Sequence, residues 1–405
     1  MDKHKTTFAG LELSTPFIVG SGPINTSIGE IKNYASRMAE NDWSCLVTKT
    51  IVQHYGTQLR PHLWSTSQYR FLGMQNSGPA LNQASSELFK KLAEDVQEAH
   101  RCGLRVIASL MGSSFPDWQQ LAQQAADTGA DALELNLSCP SPREGVVTSL
   151  GGLRVGQNPE LSAEIVEKVA AATRIPVIVK LPPIIYDAGT TAQLCRKAGA
   201  AGVALINTLP GIIGVDIETL NPYASDMLGT GFSTGLSGPL VKPLALRLVH
   251  EVARSSEIEI CGIGGIVRWQ DPIEYFLLGA SAVQVVTGVM WYGLQLGKEL
   301  QKGLSQYMRR KGYNNLAEFR GATVPRVTNT IPESYPPLEA LVDREKCNTC
   351  GLCLTACWDN SYGAIHESNG AVEIDREKCI FCGLCAVVCR RGAITFSQNI
   401  NERGR

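Results

Sequence analysis

The sequence predicts an α/β chain of 405 residues built on a TIM (β/α)8 barrel with a smaller C-terminal domain, and three observations carry that prediction. From the N-terminus to about residue 290, apolar runs short enough for strands alternate with amphipathic stretches long enough for helices, the pattern of parallel βα units. Eight such runs occur, and each ends on polar or glycine residues of the kind that gather at the active face of such a barrel. Eight of the thirteen cysteines crowd into the chain from residue 347 onward, in a spacing that repeats.

In order, Phe17–Val19 leads into Ser21-Gly22, and Cys45–Val47 into Lys49-Thr50. Val106–Leu110 is followed by Met111-Gly112-Ser113, and Ala132–Leu135 stops in Asn136, Ser138 and Cys139. Pro176–Val179 precedes Lys180, and Val203–Ile206 precedes Asn207-Thr208. Ile258–Cys261 runs into the glycines of 262–265, and Ala282–Val286 into Thr287-Gly288. A doubly wound open sheet is the alternative, and eight regular units argue against it.

Between the runs, Ser85–Ala99, Ser114–Thr128, Asn158–Ala172 and Pro239–Arg254 carry apolar residues at three- and four-residue steps behind plausible caps, as helices do. The glycine-rich loop Ser141–Gln157 follows the Cys139-Pro140 tip directly and reads as a lid, with a plain surface excursion as its alternative. A second excursion, Pro210–Ser237, could also roof a pocket, and Tyr292–Arg310 reads as a closing helix. These features divide the chain into a barrel over 1–311, a proline-bearing linker over 312–338 and a cysteine-rich domain over 339–397.

With 37 basic and 38 acidic residues, the formal net charge of -1 gives no footprint for nucleic acid or an acidic membrane surface. No apolar run approaches the roughly 20 residues that span a bilayer, and the N-terminal Met-Asp-Lys-His-Lys is not followed by a signal-peptide core. The expected setting is cytoplasmic, where clustered cysteines serve metal ligation rather than disulfides.

The tail is duplicated. Asp-Arg-Glu-Lys-Cys begins at Asp343 and again at Asp375, and Gly-Ala-Ile recurs at Gly363 and Gly392. Each half carries C-x2-C-x2-C-x3-C, namely Cys347, Cys350, Cys353, Cys357 and Cys379, Cys382, Cys385, Cys389. This is the spacing of a two-cluster bacterial ferredoxin, in which the fourth cysteine of each run serves the other cluster. One 4Fe-4S cluster is then expected on Cys347, Cys350, Cys353 and Cys389, the second on Cys379, Cys382, Cys385 and Cys357. Zinc is the competing metal, and two copies of a four-cysteine run fit it poorly. Trp358 and Arg390 stand where a proline usually follows the fourth cysteine. Two clusters in series act as a relay for single electrons.

That relay needs a two-electron centre in the barrel, and no GxGxxG fingerprint opens a strand-to-helix turn for a dinucleotide. The glycines after the seventh run and Thr287-Gly288 after the eighth stand where many such barrels bind a phosphate, although a close-packed turn explains a lone glycine-rich loop equally well. With the tail attached, FMN is the economical cofactor. Lys49 and Lys180 at strand ends would place cations where they stabilise the negative charge of a reduced flavin. Cys45, Cys102, Cys195 and Cys261 read as structural thiols.

Glu134-Leu-Asn-Leu-Ser-Cys-Pro140, Val179-Lys-Leu-Pro-Pro183, Asn207-Thr208, Ser237-Gly-Pro-Leu-Val-Lys-Pro243 and Gly262-Ile-Gly-Gly-Ile266 together resemble the class 1 dihydroorotate dehydrogenase barrel. With the fused tail, the chain from about residue 6 to 395 resembles the flavin- and iron-sulfur-bearing subunits of bacterial NAD-dependent dihydropyrimidine dehydrogenases. The resemblance implies Cys139 as the proton donor or acceptor, and Asn76, Asn136, Asn207 and Thr208 as the residues holding a pyrimidine-like ring. It implies Ser21, Gly22, Lys49 and Lys180 along the flavin, and Gly264, Gly265, Thr287 and Gly288 at its phosphate. It also implies a hetero-oligomer with a separate FAD-containing subunit that draws on NAD(P)H. In one place the sequence departs from the dihydropyrimidine pattern: Asn76 is followed by Ser77 and Gly78 rather than by a Glu two residues on, which looks more like the dihydroorotate type. The same machinery acting on another conjugated ring, and a non-catalytic electron-transfer subunit, are the alternative readings. A flavin-free barrel lyase with an accessory ferredoxin is a third.

Overall fold

The eight expected runs form one closed parallel ring in the structure, a computed structural model that describes residues 4–22, 26–53, 63–76, 82–138, 153–224, 233–328 and 338–398. Cys139 and residues 140–152 lie outside these described residues, as do Gly78 and residues 225–232 of the second excursion. The ring consists of β1 (Phe17–Val19), β2 (Cys45–Val47), β3 (Arg105–Met111), β4 (Ala132–Asn136), β5 (Val177–Leu181), β6 (Gly202–Leu205), β7 (Glu259–Ile263) and β8 (Ala282–Val285). Each strand pairs in parallel with its neighbour in sequence, and β8 closes onto β1 through Val283↔Phe17 to Val285↔Val19.

Strands buried on both faces are apolar almost throughout, and alternate residues face the helices or the ring interior. Thus Val106, Ala108 and Leu110 pack under the helices, while Ile107 turns inward beside Ile18, Ile178 and Cys261. An N-terminal antiparallel hairpin, Thr6–Phe8 with Leu11–Leu13, plugs the ring interior with Phe8 and Leu13.

The helices start where the caps predict. Ser85, Ser114 and Asn158 each accept a hydrogen bond from the backbone N–H three residues on, opening helices Ser86–Arg101, Phe115–Asp127 and Pro159–Ala172. The helix expected over 239–254 begins with a 3-10 turn, Pro239–Val241, and becomes α-helical over Lys242–Ser255. The closing segment is two helices, Thr287–Tyr292 and Leu296–Lys311, because Gly293 at φ +75° breaks the first.

Two regions differ from the sequence reading. The Pro210–Ser237 excursion contributes strands Leu209–Gly211 and Thr234–Ser237 to a four-stranded antiparallel sheet with Met74–Asn76 and Leu63–Trp64. These segments follow β2 and β6, so the sheet stands at the C-terminal face of the ring. Residues 313–326 of the expected linker belong to the barrel unit, which runs Met1–Val327. Leu316 and Phe319 are buried, and Gly321 N–H donates to Phe276 O at 2.8 Å.

The second unit, Thr328–Arg405, has the order strand, helix, strand, strand, helix, strand. Its first strand, Leu338–Val342, pairs antiparallel with its last, Ile394–Gln398, and Ile365–Ser368 pairs with Ala371–Ile374. Each pairing joins the two halves of the repeat, so the halves interlock instead of standing side by side. Among the described residues, no helix is long and apolar enough to cross a membrane.

Candidate active site and cluster sites

The ends of β4, β5 and β6 deliver the polar cluster at the barrel mouth. Inward alternation along β4 places Ala132, Glu134 and Asn136 on the same side, with Asn136 opposite Lys180 in the ladder. Asn136 Nδ2 donates to Thr50 Oγ1 at 3.1 Å, and Asn207 Nδ2 donates to Asn136 Oδ1 at 3.0 Å and to Ser138 Oγ at 2.8 Å. Thr208 N–H donates to Asn207 Oδ1 at 2.8 Å, and Ser138 Oγ donates to Lys180 O at 3.3 Å. Asn136, Asn207 and Thr208 are therefore one connected patch of amide and hydroxyl groups.

Asn76 arrives from the antiparallel sheet. A Cβ on Gly235 would lie 2.2 Å from Thr208 Oγ1 and 3.2 Å from Asn76 Nδ2, so glycine is what lets Asn76 and Thr208 share that corner. Thr234 Oγ1 donates to Asn76 O, and the buried Gln75 ties the sheet together by donating to Thr234 Oγ1 at 3.1 Å and accepting from Ile213 N–H at 2.8 Å.

On the opposite side of the mouth, Ser21 and Lys49 are half-buried, and Gly22 is held by reciprocal bonds with Thr26. Lys180 is almost fully buried, with Nζ 3.2 Å from Glu134 Oε1. Gly264 (φ +132°) and Gly265 (φ +67°) adopt backbone conformations that side chains resist, and Thr287 Oγ1 donates to Ser237 Oγ at 3.0 Å. The turn they form is held by Asp271, whose carboxylate accepts from Val267 N–H at 2.9 Å, Arg268 N–H at 2.8 Å and Lys242 Nζ at 2.7 Å.

Sequence reasoning singled out the mouth residues but missed Thr50, Ser109, Glu134 and Gln284, which support them. A signal for Glu134 was present: a Glu inside Ala-Leu-Glu-Leu is a charge in a buried strand and needs a partner there. Of the four thiols read as structural, Cys45, Cys195 and Cys261 are buried and Cys102 is partly so. Burial pushes Cys195 up to about 12 and drives Cys45 and Cys261 well above the usual thiol range.

In the second unit, one small cavity is lined by Cys347, Cys350, Cys353 and Cys389, and another by Cys357, Cys379, Cys382 and Cys385. Both mix three thiols from one half with one from the other, as the interlocked strands require. The halves match in detail: Ala364 N–H donates to Cys357 Sγ and Ala393 N–H to Cys389 Sγ, each at 3.3 Å. Backbone N–H groups at Ala393 and Arg391 pull the Cys389 thiol below its ordinary value, whereas burial pushes Cys385 up to about 11. Among the described residues, no three His, Cys, Asp or Glu side chains converge on a single-ion site. Four thiols spread around a cavity suit a cubane, whose four irons each take one thiolate.

The sequence profile of the dihydroorotate dehydrogenase family matches residues 3–308, and that of the 4Fe-4S dicluster domain matches residues 340–396. The chain belongs to the dihydroorotate dehydrogenase family. Among family members with a similar layout, the PreA subunit of NAD-dependent dihydropyrimidine dehydrogenase from Escherichia coli (strain K12) is 31% identical over 375 residues, covering 89% of this chain and 87% of the relative. The chloroplastic dihydropyrimidine dehydrogenase (NADP(+)) of Arabidopsis thaliana is 29% identical over 383 residues, covering 90% of this chain and 87% of that protein. The catalytic subunit of dihydroorotate dehydrogenase B (NAD(+)) from Pyrococcus abyssi (strain GE5 / Orsay) is 40% identical over 216 residues, 53% of this chain and 68% of the relative. This member of the dihydroorotate dehydrogenase family is an oxidoreductase of the dihydropyrimidine dehydrogenase type, with FMN and 4Fe-4S clusters as its cofactors.

The barrel mouth fits FMN on its own geometry. A Cβ on Gly288 would lie 2.4 Å from Ile266 O, and one on Gly265 would lie 2.7 Å from Lys242 Cβ and 2.9 Å from Pro239 Cα, so only glycine fits these two positions. Among the described residues, Gln284 Oε1, enclosed beside Gly20, has no hydrogen-bond partner, which suits a ligand bearing a donor.

Proposed function

We propose that this chain reduces, or in reverse oxidises, the carbon-carbon double bond of a pyrimidine such as uracil or thymine, with electrons relayed through the two clusters. The observation that carries the reading is the linked patch of Asn136, Asn207 and Thr208, with Asn76 at the same corner, on the barrel face that also holds Lys180. Amides and a hydroxyl offer the alternating donors and acceptors that a uracil-like ring presents in reverse. The flavin, when bound, supplies or takes up hydride at one carbon of the double bond.

The chain's own part is the proton and the pose. Cys139 follows directly on Ser138, whose backbone and hydroxyl are fixed to Asn136, and its thiol gives the proton to the neighbouring carbon. In the oxidative direction the thiolate takes that proton, so activity rises with pH as the thiol ionises, near about 8.5 for an unperturbed cysteine. Ser21, Gly22, Lys49 and Lys180 line the flavin ring, and Gly264, Gly265, Thr287 and Gly288 its phosphate. The thiols around the two cavities are the cluster ligands, in the sets of four given above.

No dinucleotide fingerprint stands in the chain, and the Escherichia coli relative is itself named as a subunit. A hetero-oligomer with an FAD-bearing subunit that draws on NAD(P)H, in a reducing cytoplasmic setting, follows from that reading. A dihydroorotate-like ring is the second reading, favoured by Ser77-Gly78 after Asn76, where small residues leave room for a carboxylate.

The test is anaerobic addition of dihydrouracil, then dihydroorotate, to the purified holoenzyme, following the flavin and cluster bands against a Cys139→Ala control. Bleaching by dihydrouracil that slows at least about 100-fold in the variant is the expected result, since general acid-base groups contribute about 10²–10⁴-fold. Bleaching by dihydroorotate alone moves the assignment to the second reading. Full activity in Cys139→Ala removes the thiol from the reaction.

A further inference from the structure

Beneath the mouth, the ring interior holds a carboxylate that the proposed reaction leaves without a task. Glu134 projects inward from the middle of β4 and its side chain is completely enclosed. One oxygen, Oε1, lies 3.2 Å from Lys180 Nζ on β5, and the other accepts from Gln284 Nε2 on β8 at 2.6 Å. Three strands thus spend three inward positions on one polar group, in the space that a barrel of this kind fills with Val, Ile and Leu. A buried ion pair is weak evidence for stability, because taking both charges out of water offsets their attraction. Its use has to be sought in what it holds in place.

What it holds is Lys180. Among the described residues, Glu134 is the partner of its Nζ, which has three N–H donors to place. In the ladder Lys180 stands opposite Asn136, one of the mouth residues, so the ammonium lies between the enclosed carboxylate below and the site above. Among the described residues, the other groups turned toward the pair carry no opposing charge. Cys261 on β7 and Cys45 on β2 are thiols kept neutral by burial, and the ladder neighbours Ser109 on β3 and Ala204 on β6 do not titrate. Lys49, after the end of β2, is the other cation of the rim.

We propose that Glu134 is a positioning residue that acts through Lys180: anchored by Gln284, its carboxylate holds the ammonium in place at the mouth, where the cation stabilises negative charge gained by the flavin. This rests on the reading that Lys180 lines the flavin.

The experiment measures flavin midpoint potential, by anaerobic spectroelectrochemistry on holoenzyme, in the parent, Glu134→Gln, Lys180→Met and the double variant. Glu134→Gln is expected to lower the potential toward that of Lys180→Met, because an ammonium no longer held at the mouth stabilises the reduced flavin less. In the Lys180→Met background, Glu134→Gln is expected to change nothing further. An unchanged or raised potential in Glu134→Gln, or an equal shift with and without Lys180, overturns the proposal. Thermal unfolding of the flavin-free proteins gives a second reading that needs no cofactor. Each single variant should lower the midpoint and the double should recover part of the loss, whereas losses that simply add mean the two side chains are not a pair. Absence of FMN from every preparation would sink the flavin assignment, while the unfolding cycle would still report on the pair.

Discussion

The barrel unit buries whole aromatic side chains, Trp43, Trp118, Tyr275 and Phe276 among them, whereas the tail's core consists of Cys353, Ile365, Val372, Cys385 and Ile394. Two of those five are thiols that line the cysteine cavities. A core this small leaves little margin over conformational entropy, and natural proteins of that size often add disulfides or metals. The barrel therefore folds on its own packing, and the tail folds on its iron, with binding free energy serving as folding free energy.

The largest effect should come from breaking the tail. Cys385→Ser, or anaerobic iron chelation, is expected to abolish protection of the Leu338–Val342 and Ile394–Gln398 amides while the barrel's thermal transition stays where it was. Hydrogen exchange together with iron and acid-labile sulfide content measures this; protected tail amides without iron would erase the contrast.

Next comes the barrel's own packing. Trp118 is fully buried and lies so close to Gly112 that an added Cβ there would come within 2.6 Å of its ring. Trp118→Ala should cost about 3–5 kcal/mol of barrel stability, read as a lowered denaturation midpoint with cluster content unchanged.

The smallest effect concerns acid. Burial raises the Asp95 carboxyl above its ordinary value in the barrel, where it accepts from Gly29 and Lys32 N–H. In the tail, Lys346 and the backbone hold Asp343 below its ordinary value, and backbone N–H groups do the same for Asp375. A raised acid binds its proton more tightly when folded, so Asp95 costs stability as pH rises from the ordinary carboxylate value to its folded one. Depressed acids do the reverse: Asp343 and Asp375 contribute above the ordinary value, and that contribution is lost as pH falls through their lowered ones. Asp95→Asn should therefore remove a fall in stability that comes as pH rises above the ordinary carboxylate value, and Asp343→Asn a loss that comes as pH drops below it, both read from the pH dependence of unfolding.

Legibility in the sequence followed the same division. All eight ring strands could be found because burial on both faces makes them continuous apolar runs, and the cysteine ladder could be read because cluster geometry fixes its spacing. The antiparallel sheet was hidden, since Leu63–Trp64 and Leu209–Gly211 are too short to show alternation and pair only through contacts far apart in sequence. The packing of residues 313–326 onto the barrel was hidden for a similar reason: Leu316 and Phe319 are isolated apolar residues among polar ones. Asn136, Asn207 and Lys180 stood out as polar residues closing apolar runs, whereas Gln284 became visible only through its hydrogen bond to Glu134.

The ring's closure has a consequence for synthesis. β1 leaves the ribosome before the other seven strands of the ring, yet it pairs on one side with β8, and the hairpin that precedes it bonds to Ser281 O and Glu259 through Thr6 and Ala9. At about 5–20 residues per second, β1 waits on the order of ten to fifty seconds for its partner. Throughout translation one of its edges stays open to pairing with a stranger, so growing chains of this protein are expected to be at their most vulnerable just before residue 285 emerges.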